Sequence, residues 1–221
     1  MIPSSKSRLT PKQAEHFAGP SLFDKIARAV CAAGALPAKE LFEAWEAARR
    51  IRRKFRGGRV IDVAGGHGLL ASILLLLDDS SPRAVVVDAR RPDSAQKVAA
   101  AVTAVWPRLE GRVSYIESPI EAFELRRDDL VVSVHACGTL TDTILRMAIE
   151  TGCRVAVLPC CHDLKRCDTG GLDGWMDGPL AVDATRAAML RAAGYAVTTH
   201  AIPAAITPKN RLLLGQPDSN C

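Results

Sequence analysis

The clearest chemical signal in the chain is a glycine-rich segment that follows an apolar run, at residues 60–68. It carries one carboxylate, Asp62, and three closely spaced glycines, Gly65, Gly66 and Gly68. Glycine allows a tight turn and a close approach of the backbone to a ligand, and the helix that follows offers free N–H groups. Asp88 ends the next apolar run, where a carboxylate can accept hydrogen bonds from ribose hydroxyls. The spacing therefore predicts a site for a ribose-bearing cofactor.

Two further candidate cofactor contacts, Glu117 and Ser118, follow the third apolar run. In a nucleotide-binding sheet, the loops after successive strands border the same ligand crevice. We therefore expect one of these two side chains to bind the amino group of an adenine. Taken alone, the segment would be an ordinary turn.

Reactive side chains follow the fourth and fifth apolar runs, where we expect them to face each other across the crevice. His135 could remove a proton from an acceptor or act as a structural hydrogen-bond donor. Cys160 could attack as a thiolate or pack beside the cofactor. Three more residues are predicted to contact the substrate at this edge, namely Cys137, Lys209 and Asn210.

The cysteines do not show the spacing of a common metal site. Cys160 and Cys161 are adjacent, with His162 and Cys167 nearby, and adjacent cysteines lack the two-residue gap of zinc knuckles. We therefore predict no bound metal. The seven cysteines are expected to be reduced thiols, most of them small buried hydrophobic groups.

Positive charge is concentrated in the first quarter of the chain, although the whole chain carries only +5. Residues 1–58 hold 12 Lys and Arg against 5 Asp and Glu, and seven cations fall between positions 49 and 59. Such blocks often contact phosphate, but they also occur as solvated cations that complement a helix dipole. Arg49, Arg53 and Arg56, expected on one helical stripe, are the candidate RNA contacts.

Composition places the chain among ordinary globular proteins. It has 221 residues, of which 48% are hydrophobic and 24% charged, and a mean hydropathy of +0.07. These values exclude a wholly disordered chain, a collagen and a coiled coil. The longest apolar run, residues 69–77, is too short to cross a bilayer, and no secretion signal is evident. We therefore expect a cytoplasmic protein without membrane contact.

Two regions with different patterns position these residues. Residues 1–58 read as three helices and form a predicted basic N-terminal extension, and residues 59–221 form the predicted cofactor-binding domain. In the second region, short apolar strands alternate with helices, which predicts a Rossmann-like α/β sheet. Only about ten residues join the last two of seven strands, so the last strand should be antiparallel to its neighbours.

The choice of cofactor lies between NAD and S-adenosylmethionine. The segment 66–71 also fits the dinucleotide pattern, which allows alanine in its third glycine position. The carboxylate of Asp62, however, would hold an amino-acid ammonium group and repel a pyrophosphate, unless it only braces the loop. A reversed last strand is typical of class I methyltransferases. Both features favour S-adenosylmethionine.

The reaction-side motifs carry a more specific resemblance. They are His-Ala-Cys-Gly at 135–138, Pro-Cys-Cys at 159–161 and Thr-Pro-Lys-Asn at 207–210. Residues 59–217 resemble the methyltransferase domain of glutathione S-transferase C-terminal domain-containing proteins. More distantly, they are similar to tRNA 2′-O-methyltransferases that modify the acceptor stem, although the chain lacks the Cys/His zinc module of those enzymes.

The resemblance implies roles for two sets of residues. Cofactor binding is carried onto Asp62, Gly65, Gly66, Gly68 and Asp88. Two walls of the reaction site are carried onto His135, Cys137, Gly138 and Asp142, and onto Pro159, Cys160 and Cys161.

The sequence thus predicts a methyltransferase that positions and desolvates an acceptor beside the methyl sulfonium of S-adenosylmethionine. RNA is the preferred acceptor because of the basic block and the distant likeness to tRNA enzymes. The alternatives are a small-molecule or protein methyltransferase, or a non-catalytic module that only binds the cofactor. No signal for an oligomeric state is present.

Overall fold

A seven-stranded sheet forms the centre of the computed structural model, which describes residues 1–218. Cys221 and the end of the predicted 59–221 domain lie outside the described residues. The strands are β1 (Val60–Val63), β2 (Ala84–Asp88), β3 (Val113–Glu117), β4 (Leu130–Ser133), β5 (Arg154–Val157), β6 (Tyr195–Ala201) and β7 (Arg211–Pro217).

The strand order is β3-β2-β1-β4-β5-β7-β6. Strands β1 to β5 pair in parallel, whereas β7 is antiparallel to both β5 and β6. This arrangement confirms the predicted Rossmann-like sheet with a reversed last strand. The carboxyl ends of β1 to β6 and the amino end of β7 therefore share one edge of the sheet, where the candidate residues lie.

Within residues 1–218, six α-helices cover the two faces of the sheet. They are α1 (Leu22–Ala33), α2 (Ala38–Lys54), α3 (Leu69–Leu77), α4 (Ala95–Val105), α5 (Leu140–Thr151) and α6 (Gly178–Ala192). The first predicted helix, opened by Thr10 and Pro11, is a short 3₁₀ segment, Pro11–Phe17. None of the helices within residues 1–218 is long and apolar enough to cross a membrane.

The N-terminal helices share a hydrophobic core with the sheet. Leu41 and Ile51 of α2 are fully buried in the same cluster as Leu74 of α3 and Leu130 of β4. The helices α5 and α6 pack against a second cluster on the opposite face. The boundary at residue 58 stays a prediction, but residues from both sides of it build one core.

Candidate functional site

Close packing explains two of the three glycines between β1 and α3. Gly68 has a φ of +71°, and a Cβ there would lie 2.7 Å from the Tyr115 hydroxyl oxygen. A Cβ on Gly65 would lie 2.7 Å from Cγ of Asp62. Tyr115 also donates a hydrogen bond to the carbonyl of Gly66, with an oxygen–oxygen distance of 2.7 Å. The loop is thus pinned to the sheet in a shape that favours glycine.

Asp88 lies directly against this loop, as its predicted role requires. Its Oδ2 accepts the N–H of Gly66 at 3.0 Å, and its Oδ1 accepts the N–H of Arg90 at 3.2 Å. A carboxylate offers about four lone-pair positions, so it can still accept hydrogen bonds from two ribose hydroxyls.

A cavity of about 180 Å³ adjoins Asp88 at the ends of β1, β2 and β3. Ser118 and Ile120 help to line it, and the Ser118 hydroxyl donates to the carbonyl of Pro119. Glu117 is exposed and is not among the lining residues; its Oε2 accepts the N–H of Arg91 at 3.2 Å. Of the two predicted adenine contacts, Ser118 is therefore the one that borders the cavity.

Asp62 is fully buried beneath the glycines. Its Oδ2 accepts the N–H of Ala71 at 3.1 Å, so the carboxyl group braces the first turn of α3. Its Oδ1 is buried and has no hydrogen-bond partner among the described residues. Burial raises the pKa of Asp62 to about 7, opposed by the Ala71 N–H and assisted by nearby Asp88. The bracing contact is present, and ammonium binding at Oδ1 stays a prediction.

These features fit S-adenosylmethionine. The glycine backbone allows close approach, the cavity beside Asp88 borders the predicted adenine position, and the unpartnered Oδ1 of Asp62 suits a cationic group. When bound, the cofactor supplies an electrophilic methyl group on its sulfonium.

A second cavity, of about 40 Å³, connects the N-terminal helices with this edge. Glu40 of α2 and His135, which follows β4, both line it together with Gly65 and Gly66. Burial lowers the pKa of His135 although Glu40 acts in the opposite direction, so the imidazole is neutral and able to accept a proton. Burial also raises the pKa of Glu40.

Glu40 was not predicted to be a site residue. Its signal in the sequence is a carboxylate four residues from both Leu36 and Ala44, two apolar residues that line the same cavity. An acidic residue in that position is costly to bury unless it has a partner or a role.

The loops after β4 and β5 bring three thiols together. Sγ of Cys137 lies 3.0 Å from Sγ of Cys160, which lies 3.8 Å from Sγ of Cys161. Burial raises the pKa of Cys160 far above its ordinary value, so this thiol stays protonated. The pKa of Cys161 is lowered, mainly by its hydrogen bond with Cys137 and further by Lys209. A nucleophilic role for Cys160 is therefore disfavoured.

Side chains of α6 hold both loops through hydrogen bonds and ion pairs. The guanidinium of Arg186 donates to both carboxylate oxygens of Asp142, at 2.7 and 2.9 Å, and to the carbonyl of Gly138 at 2.9 Å. Asp183 pairs with His162 at 2.8 Å and with Arg211 at 2.7 Å. None of these contacts was predicted, because each joins residues that are distant along the chain.

The two predicted substrate contacts before β7 differ in their availability. Asn210 donates through Nδ2 to the carbonyl of Ile202 at 2.8 Å, so its amide already closes its own loop. Lys209 is exposed and lies beside Cys161.

Several arginines of the basic block pair with groups within the protein. Arg49 and Arg50 both pair with Glu46. Arg52 is buried and donates to the carbonyl of Leu74 at 3.0 Å. Arg53 is exposed.

The predicted helical stripe of three arginines is wrong at Arg56. Helix α2 ends at Lys54, because Phe55 adopts an extended conformation with φ −119° and ψ 125° and buries its ring. Arg56 therefore lies beyond the helix, with Nη1 3.5 Å from Oδ1 of Asp78.

Comparison with known proteins identifies the family. A family described as "Methyltransferase domain" matches residues 39–167, which is more than half of the chain. No curated protein matches the chain.

Solved structures share the fold at low sequence identity. An O-methyltransferase family protein from Burkholderia thailandensis has a TM-score of 0.54 and 20% identity, over 100% of this chain and 67% of that protein. The S-adenosylmethionine-dependent methyltransferase SibL has a TM-score of 0.54 and 21% identity, over 96% and 66%. The mitomycin 7-O-methyltransferase MmcR has a TM-score of 0.53 and 18% identity, over 94% and 67%.

The chain spans about two thirds of the length of these three proteins. Its sheet order, its reversed last strand and its glycine loop agree with the family match. The chain therefore belongs to the methyltransferase domain family and is an S-adenosylmethionine-dependent methyltransferase with the class I fold.

Proposed function

We propose that this enzyme methylates a small, largely apolar organic acceptor. The observation that carries the proposal is a cavity of about 330 Å³ between α6 and the strands β6 and β7. Its volume is in the usual range for small-molecule sites, which are mostly apolar with a few polar groups. Its lining follows this pattern, with Ala184, Ala187, Leu212 and Leu213 beside Asp183, His200 and Arg211.

The cavity lies at the edge of the sheet that carries the cofactor loop. His200 is near the end of β6 and Arg211 begins β7, so both lie level with the carboxyl end of β5. Pro159, which also lines the cavity, directly precedes Cys160. The cavity therefore adjoins the loop after β5, which carries Cys160.

His135 is the proposed proton acceptor. A hydroxyl or amine that takes a methyl group must lose a proton, and the buried, neutral imidazole can receive it. Glu40 would stabilise the imidazolium that forms, because the two residues line the same cavity. The remaining contribution of the protein is to position the acceptor and exclude water.

A matched pair of substitutions on α6 tests the proposal. Ala187 lines the cavity, whereas neighbouring Ala188 is exposed. Ala187→Trp should abolish methyl transfer to small phenols, alcohols and amines from labelled S-adenosylmethionine, and should leave cofactor binding by calorimetry unchanged. Ala188→Trp should retain both activities. Label that enters only an RNA or protein fraction, and that is insensitive to Ala187→Trp, would contradict a small-molecule acceptor.

RNA is the second candidate acceptor, favoured by the exposed cations Arg53, Lys54 and Arg56 around the end of α2. The resemblance to glutathione S-transferase C-terminal domain-containing proteins and to tRNA enzymes supports the same proposal. The RNA proposal is weakened because Arg49, Arg50, Arg52 and Arg56 have partners within the protein.

Salt dependence separates the RNA proposal from the small-molecule one. If these cations contact phosphates, log affinity should fall by about 0.7 per contact for each tenfold rise in salt. Arg53→Glu with Arg56→Glu should flatten the slope, whereas Arg146→Glu on the exposed side of α5 should not. An unchanged slope would assign Arg53 and Arg56 to the solvated surface.

A further inference from the structure

Three cysteine side chains converge at the reaction edge of the sheet. The Sγ atoms of Cys137, Cys160 and Cys161 all lie within 4.8 Å of one another. Within residues 1–218, no other set of three His, Cys, Asp or Glu side chains converges in this way. In a tetrahedral zinc site with Zn–S bonds of about 2.3 Å, neighbouring sulfurs are about 3.8 Å apart. The separation of 3.8 Å between Cys160 and Cys161 matches this edge length, whereas the 3.0 Å between Cys137 and Cys160 would have to widen by about 0.8 Å when an ion binds.

The third ligand explains why spacing along the chain predicted no metal. Cys160 and Cys161 alone lack a zinc-knuckle gap, but Cys137 comes from the loop after the neighbouring strand. Cys137 and Cys161 form an isolated parallel β-bridge, and the N–H of Gly138 donates to the carbonyl of Cys161 at 3.1 Å. The two loops are therefore joined at the cluster itself.

The surroundings hold the cluster in place. Arg186, whose side chain is only 2% exposed, fixes the first loop through Asp142 and the carbonyl of Gly138. The buried pair of His162 and Asp183 fixes the second loop, next to Cys161. Ligands held by such supporting contacts need little reorganisation to bind an ion.

We propose that Cys137, Cys160 and Cys161 bind one thiophilic divalent metal ion, best matched by Zn²⁺, through three thiolates. The protons of the three thiols are released to solvent when the ion binds. Three thiolates and Zn²⁺ carry a net charge of −1, and the ammonium group of Lys209 beside Cys161 balances it. Cys137 and Cys161 are exposed, so the fourth position of the ion is open to water or to another ligand.

Cobalt serves as a visible probe for this site. The full chain, reduced and stripped of metal by a chelator that is then removed, should bind one equivalent of Co²⁺ with thiolate-to-cobalt charge-transfer absorption. Added Zn²⁺ should displace it. Cys137→Ser and Cys161→Ser should each weaken Co²⁺ binding at least tenfold and reduce the absorption per bound ion. Cys31→Ala, which alters a buried thiol outside the cluster, should leave both unchanged.

Several outcomes would overturn the proposal. One is a reduced, folded chain that binds neither Co²⁺ nor Zn²⁺, and another is serine variants that bind like the parent chain. A disulfide between Cys137 and Cys160 in protein alkylated at lysis would also overturn it, because two ligands would be consumed. If circular dichroism shows that the Cys160→Ser variant folds, it serves as a third serine variant in the same Co²⁺-binding experiment. These experiments measure metal binding and not methyl transfer, so a negative result would not bear on the proposed small-molecule acceptor.

Discussion

Different interactions hold the cofactor end and the reaction end of the sheet edge where the candidate site lies. At the cofactor end, side chains bind the backbone of a short loop, as when Asp88 accepts the N–H of Gly66 and Tyr115 donates to its carbonyl. At the reaction end, ion pairs from α6 hold the loops, and Arg186 reaches Asp142 across 44 residues of sequence. The cofactor end therefore depends on loop conformation, and the reaction end depends on buried charge.

The largest expected effect comes from removing the charge that holds the reaction end. Arg186→Met leaves Asp142 and Asp183 without this guanidinium and should cost about 3 kcal/mol of unfolding free energy, measured by urea denaturation. Arg146→Met, an exposed change on α5, should cost less than about 0.5 kcal/mol. Cofactor affinity that falls in parallel with stability in the Arg186 variant would contradict the separation of the two ends.

The buried carboxyl of Asp62 should make the cofactor end sensitive to pH. Burial raises its pKa from 3.8 to about 7, so between these pH values the folded chain keeps a proton that the unfolded chain has released. The stabilisation is fully present below pH 3.8 and is lost as pH rises to about 7.

Asp62→Asn removes this titration and keeps an oxygen to accept the N–H of Ala71. The unfolding free energy of the parent chain relative to the variant should fall by about 3 kcal/mol between pH 5 and pH 8. A difference that is constant with pH would contradict the raised pKa. A smaller loss in the presence of S-adenosylmethionine would support ammonium binding at Asp62.

Asp88→Ala should weaken cofactor binding and should lower the unfolding free energy less than the Arg186 substitution does. A hydrogen bond to a charged group contributes about 1.5–3 kcal/mol, so calorimetry should show affinity reduced by roughly tenfold to a hundredfold. Glu117→Ala is the control, because that exposed side chain does not line the cavity. Equal losses in the two variants would move the ribose site away from Asp88.

The smallest expected effect comes from replacing single glycines with alanine, which tests whether Gly66 serves the loop conformation alone or also cofactor binding. Gly66 and Gly111 have φ of +51° and +69°, and a Cβ would meet no atom within 4 Å at either position. Alanine at each position should therefore cost a similar amount, about 1 kcal/mol of stability. Only Gly66→Ala should also weaken cofactor binding. If Gly111→Ala weakens it equally, the effect belongs to general destabilisation.

Local patterns in the sequence were enough to predict the strands of the alternating region and the glycine loop. Hydrophobic runs and glycine turns are local, so the pattern around residues 60–68 predicts both the strand and the turn that follows. The short link before β7 likewise predicts the reversed strand. The helical end at Phe55 was not predicted, because the burial of its ring overrides the continuing helical pattern.

The residues of the reaction end are brought together by tertiary packing and not by any local pattern. Glu40 comes to His135 from a helix nearly one hundred residues earlier, and Cys137 meets Cys160 and Cys161 through a bridge between loops. The pairing of Arg186 with Asp142 arises in the same way. These contacts depend on how α2 and α6 pack against the sheet, and burial then sets the charge of each group. A residue's type shows the chemistry available to it, but packing decides which partners it meets.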